Sequence, residues 1–354
     1  MNSKAVELVR TDCETVLKGR VEQLGPLKNQ MLVFTGGTGF VGTWVAELIA
    51  TLNDSYSFGT QVVLIARRTD LFKKRYPHLA HRKDMTFLSS DVRYTVEVPR
   101  DTAWMIHAAA NPDNRFHSSH PIETMSVIAD GTSAVLKAAD RCAGLRMFLN
   151  FSSGLIYGPQ PMDLPRISEG YLGAPEVGRA SSAYAEAKRY AETLCAAAQS
   201  QARLPLVTVR PFAFLGPYQS LDTPWAINNF MKDALGGNSI RVLGDGKTVR
   251  SYLYGSDLAY WILRVLTGSQ VGQCFNIGSA DEITLDTLAK KIAQICQPQV
   301  DVRLYSSGSA AIQRSRFVPD VSLAQDMLGL TESVSLETAI QRTILWNQYV
   351  EKSE

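Results

Sequence analysis

The sequence predicts an α/β fold, a doubly wound parallel sheet followed by a smaller C-terminal α+β lobe that would hold a substrate. Three observations predict it. Short apolar runs alternate with helical patterns through residues 30–210, as a parallel sheet covered on both faces requires. A glycine cluster separates the first of these runs from a long helical pattern. Beyond Pro211 the alternation gives way to helices mixed with very short strands.

In chain order, Val6, Val9, Cys13, Val16 and Leu17 recur at helical spacing, which predicts an amphipathic helix packed on the body. Glu7, Arg10, Asp12, Glu14 and Lys18 lie among them, so residues 1–27 read as a helical extension and not as a signal peptide. Buried strands are expected at 30–35, 61–66, 85–88, 103–107, 146–152 and 205–210, with helices at 121–141 and 182–201 between them. Residues 28–210 then form a Rossmann-like dinucleotide-binding domain. Residues 211–354 form the substrate lobe, with some interleaving of the chain. Its expected helices are 225–235, 256–266, 284–295 and 335–349, with short strands near Ile240, Tyr252, Phe275 and Val302. Trp346 and Tyr349 read as core anchors of the last helix.

Bulk composition excludes several classes. The chain has 354 residues, 45% apolar and 20% charged, an ordinary globular mixture. Its formal net charge is +2 and no stretch is strongly basic, so a nucleic-acid partner is not expected. No apolar run is long enough to cross a membrane. Cys13, Cys142, Cys195, Cys274 and Cys296 are scattered, odd in number and without CxxC spacing. They read as reduced thiols of a cytoplasmic protein. His107 ends a strand and reads as structural. His117 and His120 read as loop residues with no third ligand at metal spacing, and no metal is expected.

The first strand runs into Thr35-Gly36-Gly37-Thr38-Gly39-Phe40-Val41-Gly42. Either Gly36 or Gly37 can open a triplet with Gly39 and Gly42. The chemistry needs glycine for a tight turn, for close approach of backbone to a pyrophosphate and for close helix packing. The helix that follows points free N–H groups, those of Phe40 and Val41 among them, at the phosphates. The second strand ends at Ala66 and is followed by Arg67 and Arg68. An acid there would hold the ribose hydroxyl of NAD; its absence beside two arginines favours NADP, with NAD the alternative.

Tyr184 and Lys188 lie four apart within a predicted helix, so they share a face. A nearby cation favours phenolate and would lower the phenol's pKa, making the tyrosine an acid or base near neutral pH. The fifth strand ends in Phe151-Ser152-Ser153-Gly154-Leu155-Ile156-Tyr157-Gly158, where Ser153 can hydrogen-bond the reacting oxygen.

With these residues in place the chain resembles the NAD-dependent epimerase/dehydratase family of extended short-chain dehydrogenases/reductases, over about residues 31–346. Further matching segments are Asp91-Val92, His107-Ala108-Ala109-Ala110, Arg210-Pro211, Gly244-Asp245-Gly246, Arg250-Ser251-Tyr252 and Phe275-Asn276-Ile277-Gly278. The resemblance implies that Asp91 and Val92 flank the adenine and that Ala108, Ala109 and Ala110 line the nicotinamide ribose. It implies that Lys188 also holds ribose hydroxyls and that Pro211 lies near the carboxamide. Arg250, Asn276 and Arg316 would hold the nucleotide and diphosphate of a nucleotide-diphosphate sugar, for which an arginine fork is suited. Ser153, Tyr184 and Lys188 would be catalytic. Many relatives pair the two long helices at 121–141 and 182–201 with their copies in a four-helix bundle, which implies a homodimer.

The pattern also breaks. The family's 4,6-dehydratases carry an Asp-Glu pair directly after the catalytic hydroxyl, and its decarboxylases keep the Glu. Here those positions are Gly154 and Leu155. Ala213 and Ile128 stand where Asn is usual. The favoured reading is hydride transfer at a sugar carbon, C4 before others, by a 4-ketoreductase or 4-epimerase that does not eliminate water. Two alternatives stay open: a reductase of non-sugar alcohols or ketones, and a non-catalytic member that senses dinucleotide.

Overall fold

A computed structural model of the chain describes residues 2–94, 96–305 and 315–351. At its centre is a sheet containing β1 (Met31–Thr35), β2 (Gln61–Ala66), β3 (Met85–Ser89), β4 (Thr102–His107), β5 (Met147–Phe151) and β6 (Leu206–Pro211). These six strands fall where the apolar runs predict them. β4 and β5 are buried along their whole length, as strands covered on both faces must be.

Past β6 the chain forms β7 (Phe214–Leu215), β8 (Ile240–Leu243), β9 (Val249–Arg250) and β10 (Leu253–Tyr254), and then β11 (Cys274–Ile277). The sequence assigns the strand near Phe275 to the C-terminal lobe. The structure instead makes β11 the seventh strand of the main sheet, parallel to β6 with Phe275 opposite Val209. Four residues are too few for periodicity to say which sheet they join. The order is β11-β6-β5-β4-β1-β2-β3, and all neighbours run parallel. The chain reverses its direction of winding between β1 and β4, and such a switch point opens a crevice at the carboxyl ends of the strands.

Helices cover both faces. α1 (Ser3–Leu17) packs on α2 (Phe40–Tyr56); α3 (Thr69–Arg75) and α4 (Pro77–Ala80) follow β2. Then come α5 (Asn114–Ser119), α6 (Pro121–Asp140) and α7 (Ala183–Ala202), of which α6 and α7 pack on each other and on a second core that includes Val33, Met105 and Phe148. The C-terminal part supplies α8 (Ala226–Leu235), α9 (Gly255–Gly268), β12 (Ile283–Thr284), α10 (Leu285–Ile295), β13 (Val302–Tyr305), β14 (Arg316–Phe317), α11 (Ser322–Leu328) and α12 (Leu336–Glu351). Trp346 of α12 is buried and Tyr349 packs against the same core, as anchors should.

The N-terminal helix is part of the main core. It buries Ala5, Val9, Cys13, Val16 and Leu17 and packs against α2, α9 and α12. Its buried Asp12 accepts a hydrogen bond from Tyr254 Oη at 2.5 Å and pairs with Arg342 of α12. Nearby, the buried Glu47 of α2 accepts from Tyr218 Oη at 2.5 Å and contacts His78 Nε2 at 2.6 Å. Buried carboxylates persist only where such partners satisfy them, so Asp12 ties α1 to β10 and α12, and Glu47 ties α2 to Tyr218 and His78. Among the described residues no helix is long and apolar enough to cross a membrane.

Candidate active site

The turn after β1 is built by glycine. Gly36 takes φ +77°, and a Cβ there would stand 2.9 Å from the backbone of Ala108 and Ala109, closer than real Cβ atoms come. A Cβ on Gly42 would stand 2.3 Å from the Gly37 carbonyl oxygen. The exit of β1, the exit of β4 and the first turn of α2 are therefore in backbone contact. Gly39 caps α2 without any side-chain hydrogen bond. The Thr43 N–H closes the first turn on the Gly39 carbonyl at 2.9 Å, which leaves the amides of Phe40 and Val41 at the open end of the helix. A tight, side-chain-free turn under an uncapped helix start fits a pyrophosphate.

Of the remaining residues expected at a cofactor, Ala108 and Ala109 meet this turn at Gly36. Arg67 and Arg68 are exposed just past β2, and Arg67 lies 3.9 Å from Glu123 of α6. The Arg93 guanidinium, bonded to Asp91 at 2.6 Å, holds that carboxyl below the usual range. Val92 is buried against Gly131. Ala108, Ala109 and Ala110 follow β4, and Pro211 is the buried last residue of β6. His107 is structural, as read: its ring nitrogens engage Thr35 at 2.7 Å and Thr132 at 3.1 Å. Burial, then Lys188, pushes it down to about 3, so it is neutral.

Ser153, Tyr184 and Lys188 come together at the carboxyl end of β5. Ser153 is buried, its Oγ accepts the Leu155 N–H at 3.1 Å, and its hydroxyl draws down the pKa of the Tyr184 phenol. Lys188 lies one helical turn beyond Tyr184 on the same face of α7. Its Nζ donates to the Phe151 carbonyl at 2.6 Å and sits 5.9 Å from the centre of the Tyr184 ring. Burial lowers Lys188 to about 8, against the pull of Glu192 and Cys195.

The phenol corrects the sequence-based expectation. Tyr184 is partly exposed, yet burial of its surroundings pushes it up to about 12, with Ser153 acting the other way. Desolvation exceeds any help from Lys188, whose ammonium is turned to a backbone carbonyl. The residues around the phenol explain the dryness. Tyr184 and Ala110 pack against Ile128, Ala187 and Ala191, so Ile128 supplies hydrocarbon where relatives have an amide. On the ring face lies His117. It is buried, it belongs to α5 and not to a loop, and its imidazole stacks on the phenol with centroids 4.2 Å apart at 11°. Nothing in the spacing of the sequence connects His117 with Tyr184.

On the substrate side the outcome is mixed. Arg250 is partly buried, and its guanidinium donates to the carbonyls of Val249 and Ser315 and to Ser315 Oγ, at 2.8, 3.3 and 3.0 Å. Among the described residues no carboxylate pairs with it, and burial lowers its pKa. A desolvated guanidinium bonded only to neutral groups keeps its attraction for an anion.

Asn276 does not fit the role expected of it. It is fully buried, with Oδ1 accepting from Tyr157 Oη at 2.8 Å and Nδ2 donating to the carbonyls of Ile167 and Asp320 at 2.9 and 3.1 Å. Its position in β11 turns the side chain into an internal brace. Arg316 is likewise engaged, with Glu282 and the Pro165 carbonyl.

Gly154 faces an aromatic wall. Phe212, just past β6, stacks on Phe317 of β14 with centroids 4.4 Å apart. A Cβ on Gly154 would meet both rings, at 2.8 and 2.9 Å. The position where an acid is expected in dehydratases is thus filled by the neighbours' carbon. Leu155 is 47% exposed and offers only hydrocarbon. Among the described residues no cluster of three or more His, Cys, Asp or Glu could hold a metal ion.

Comparison with known proteins gives a consistent set of relatives. Residues 32–278 match the model of the NAD dependent epimerase/dehydratase family. UDP-glucuronic acid decarboxylase 2 of Arabidopsis thaliana is 28% identical over 88% of this chain and 67% of its own length. UDP-glucuronic acid decarboxylase 6 of the same plant is 27% identical over 88% of this chain and 87% of its own. Among solved structures, UDP-glucuronic acid 4-epimerase from Bacillus cereus, in complex with UDP-glucuronic acid and NAD, superposes with a TM-score of 0.76. That likeness has 21% identity and covers 92% of this chain and 100% of the other. The dTDP-glucose 4,6-dehydratase of Streptomyces venezuelae with NAD bound also has a TM-score of 0.76, at 20% identity, covering 92% and 98%. At such identities the structural likeness shows the fold.

Proposed function

Because the chain belongs to the NAD dependent epimerase/dehydratase family, we propose that it transfers hydride between a nicotinamide dinucleotide and C4 of a nucleotide-diphosphate sugar, as a 4-ketoreductase or 4-epimerase, without eliminating water. One observation carries this reading. Ser153, Tyr184 and Lys188 stand together, while the adjoining Gly154 is closed off by Phe212 and Phe317. Proton transfer at one hydroxyl is supported; an acid and a base for elimination are not.

In this reading the turn Gly36–Gly39 and the amides of Phe40, Val41 and Gly42 hold the pyrophosphate. Ala108, Ala109, Ala110 and Pro211 border the nicotinamide half, Asp91 and Val92 the adenine, and Lys188 the ribose. A bound nicotinamide would supply the hydride chemistry, and this chain's residues the proton. Tyr184 is protonated up to about 12, so it donates a proton to the oxygen at C4 of a keto-sugar; in the reverse direction the phenolate left by that donation takes the proton back from the alcohol. Ser153 orients that oxygen. Arg250 takes the diphosphate; Arg316 borders it at most, since Glu282 holds its charge, and Asn276 acts as the brace beneath. The neutral phenol, together with Arg67 and Arg68 beside the ribose position, favours reduction with NADP. NAD is the alternative, and it is the dinucleotide in the solved structures compared.

In this reading residues 28–210 and 211–354 form the two lobes, with β11 lent to the sheet and the helical extension 1–27 packed into the main core. Ile122 and Met125 of α6 and Tyr190 of α7 are exposed apolar residues on packed helices, which supports a homodimer through a four-helix bundle. A monomer in sedimentation at micromolar concentration would remove that proposal. The five cysteines are unpaired, in keeping with the cytoplasm. A reductase of non-sugar ketones has no use for the half-buried Arg250, and a non-catalytic sensor has none for the complete catalytic trio.

The test starts from the cofactor that copurifies and continues with nucleotide sugars and their 4-keto forms, followed at the nicotinamide absorbance band. Stoichiometric loss of NADPH on a keto-sugar identifies a reductase. Retained NAD with interconverting sugars identifies an epimerase.

A further inference from the structure

We propose that His117 is a positioning residue that clamps and dries the Tyr184 phenol from one ring face. The inference rests on the reading of Tyr184 as the proton carrier and adds a residue to it. Its basis is geometric. The imidazole lies parallel to the phenol with centroids 4.2 Å apart at 11°. It is also fixed at its far edge, where Nε2 sits 2.6 Å from the Asn111 carbonyl. A carbonyl only accepts, so Nε2 carries the proton and Nδ1 is the bare nitrogen. Asn111 follows Ala110 directly. His117 thus spans from the loop that leaves β4, where the nicotinamide half would lie, to the proton carrier on α7.

Tyr184 and Ala110 also pack against Ile128 of α6 and against Ala187 and Ala191. The phenol is therefore in contact with both an apolar patch and an aromatic plate, with its hydroxyl influenced by Ser153. Two consequences follow. The ring plane is fixed, and misplacing a reacting group by an ångström costs roughly 100-fold in rate. Water is kept from the ring face, which disfavours phenolate and holds the acid form. The clamp acts in its neutral state. Burial lowers the His117 pKa and Lys188 lowers it further, while the bond to Asn111 and the charge of Asp113 oppose them. Among the described residues, the titratable groups in contact with the phenol ring are Lys188 on its own helix and His117, and α6 presents Ile128.

The test needs no substrate. The protein carries an isotope label at the tyrosine Cζ, Tyr184→Phe identifies the Tyr184 resonance, and its ionisation is followed against pH in wild type, His117→Ala and His117→Phe. In His117→Ala water reaches the ring, so the phenol should ionise at lower pH, with at least a roughly tenfold rise in its acid constant. His117→Phe replaces the plate and should restore the wild-type titration; it also serves if the alanine variant folds poorly. Superimposable curves for wild type and His117→Ala, or equal shifts in both variants, would overturn the clamp. Once a turned-over nucleotide sugar is in hand, kcat in His117→Ala should fall roughly 10- to 100-fold with KM little changed. Full activity in Tyr184→Phe would sink the proton-carrier reading and the clamp with it. An inactive Tyr184→Phe beside an unaltered His117→Ala would sink the clamp alone.

Discussion

Placing a carboxyl at position 154 tests whether the wall beside Ser153 excludes elimination chemistry. Gly154→Ala puts a methyl 2.8 Å from Phe212 Cε2 and 2.9 Å from both Phe212 Cζ and Phe317 Cζ. The two rings are stacked on each other, and Phe212 belongs to a small core with Ile156, Tyr157 and Ile167. Neither ring can yield without disturbing that core, so the methyl should cost about 1–3 kcal/mol, the range for overpacking. Gly154→Asp adds a polar group between aromatic faces with no donor placed for it, for about 1–3 kcal/mol more. Its carboxyl would also be pushed towards the neutral form. Urea unfolding should show a lowered midpoint in the order wild type, Ala, Asp with similar slopes. Phe317→Ala in the Gly154→Ala background should recover part of the loss, because it removes one of the two contacts. If Gly154→Asp were as stable as wild type, or produced a dehydrated sugar, the argument from the wall would be wrong.

Tyr184→Phe should keep the fold and cofactor binding and lose about 10²–10⁴-fold in turnover, the usual contribution of a general acid or base; a near-normal rate would mean that the proton travels elsewhere. Arg67→Ala with Arg68→Ala should weaken NADP far more than NAD, since charge-assisted bonds to a 2′-phosphate are worth about 1.5–3 kcal/mol each; equal losses would remove the case for NADP. Lys188, lowered by burial from 10.5 to about 8, makes two pH predictions of opposite sign. If its ammonium is the active form, turnover falls as pH rises through about 8. Between about 8 and 10.5 the unfolded chain keeps the proton that the folded residue has lost, so stability relative to Lys188→Met should rise over that window. Activity and stability moving together there would contradict the assignment.

Much of this was legible in the sequence, and for physical reasons. β1, β2, β4 and β5 are continuous apolar runs because they are buried on both faces, whereas the edge strand β3 is largely exposed; the glycine turn carries its spacing because only glycine fits where β1 meets β4. Tyr184 and Lys188 were readable because one helical turn separates them. What escaped were contacts between segments far apart in the chain. β11 is too short to declare its sheet. Asn276 reads as a ligand until Tyr157, Ile167 and Asp320 are seen to use up its amide. The phenol's pKa depended on desolvation by Ile128 and its neighbours, which a Tyr-x-x-x-Lys spacing does not report. His117 shows no pattern at all, since its function-bearing neighbour comes from another helix.

The most direct test of the central claim uses a nicotinamide cofactor carrying deuterium at the transferable position, incubated with 4-keto nucleotide-diphosphate sugars. The products are read by mass spectrometry and NMR. Hydride transfer at C4 predicts an alcohol with deuterium at C4 and no loss of water or carbon dioxide. A dehydrated or decarboxylated product formed at enzymatic rates, or deuterium appearing at another carbon, would contradict it.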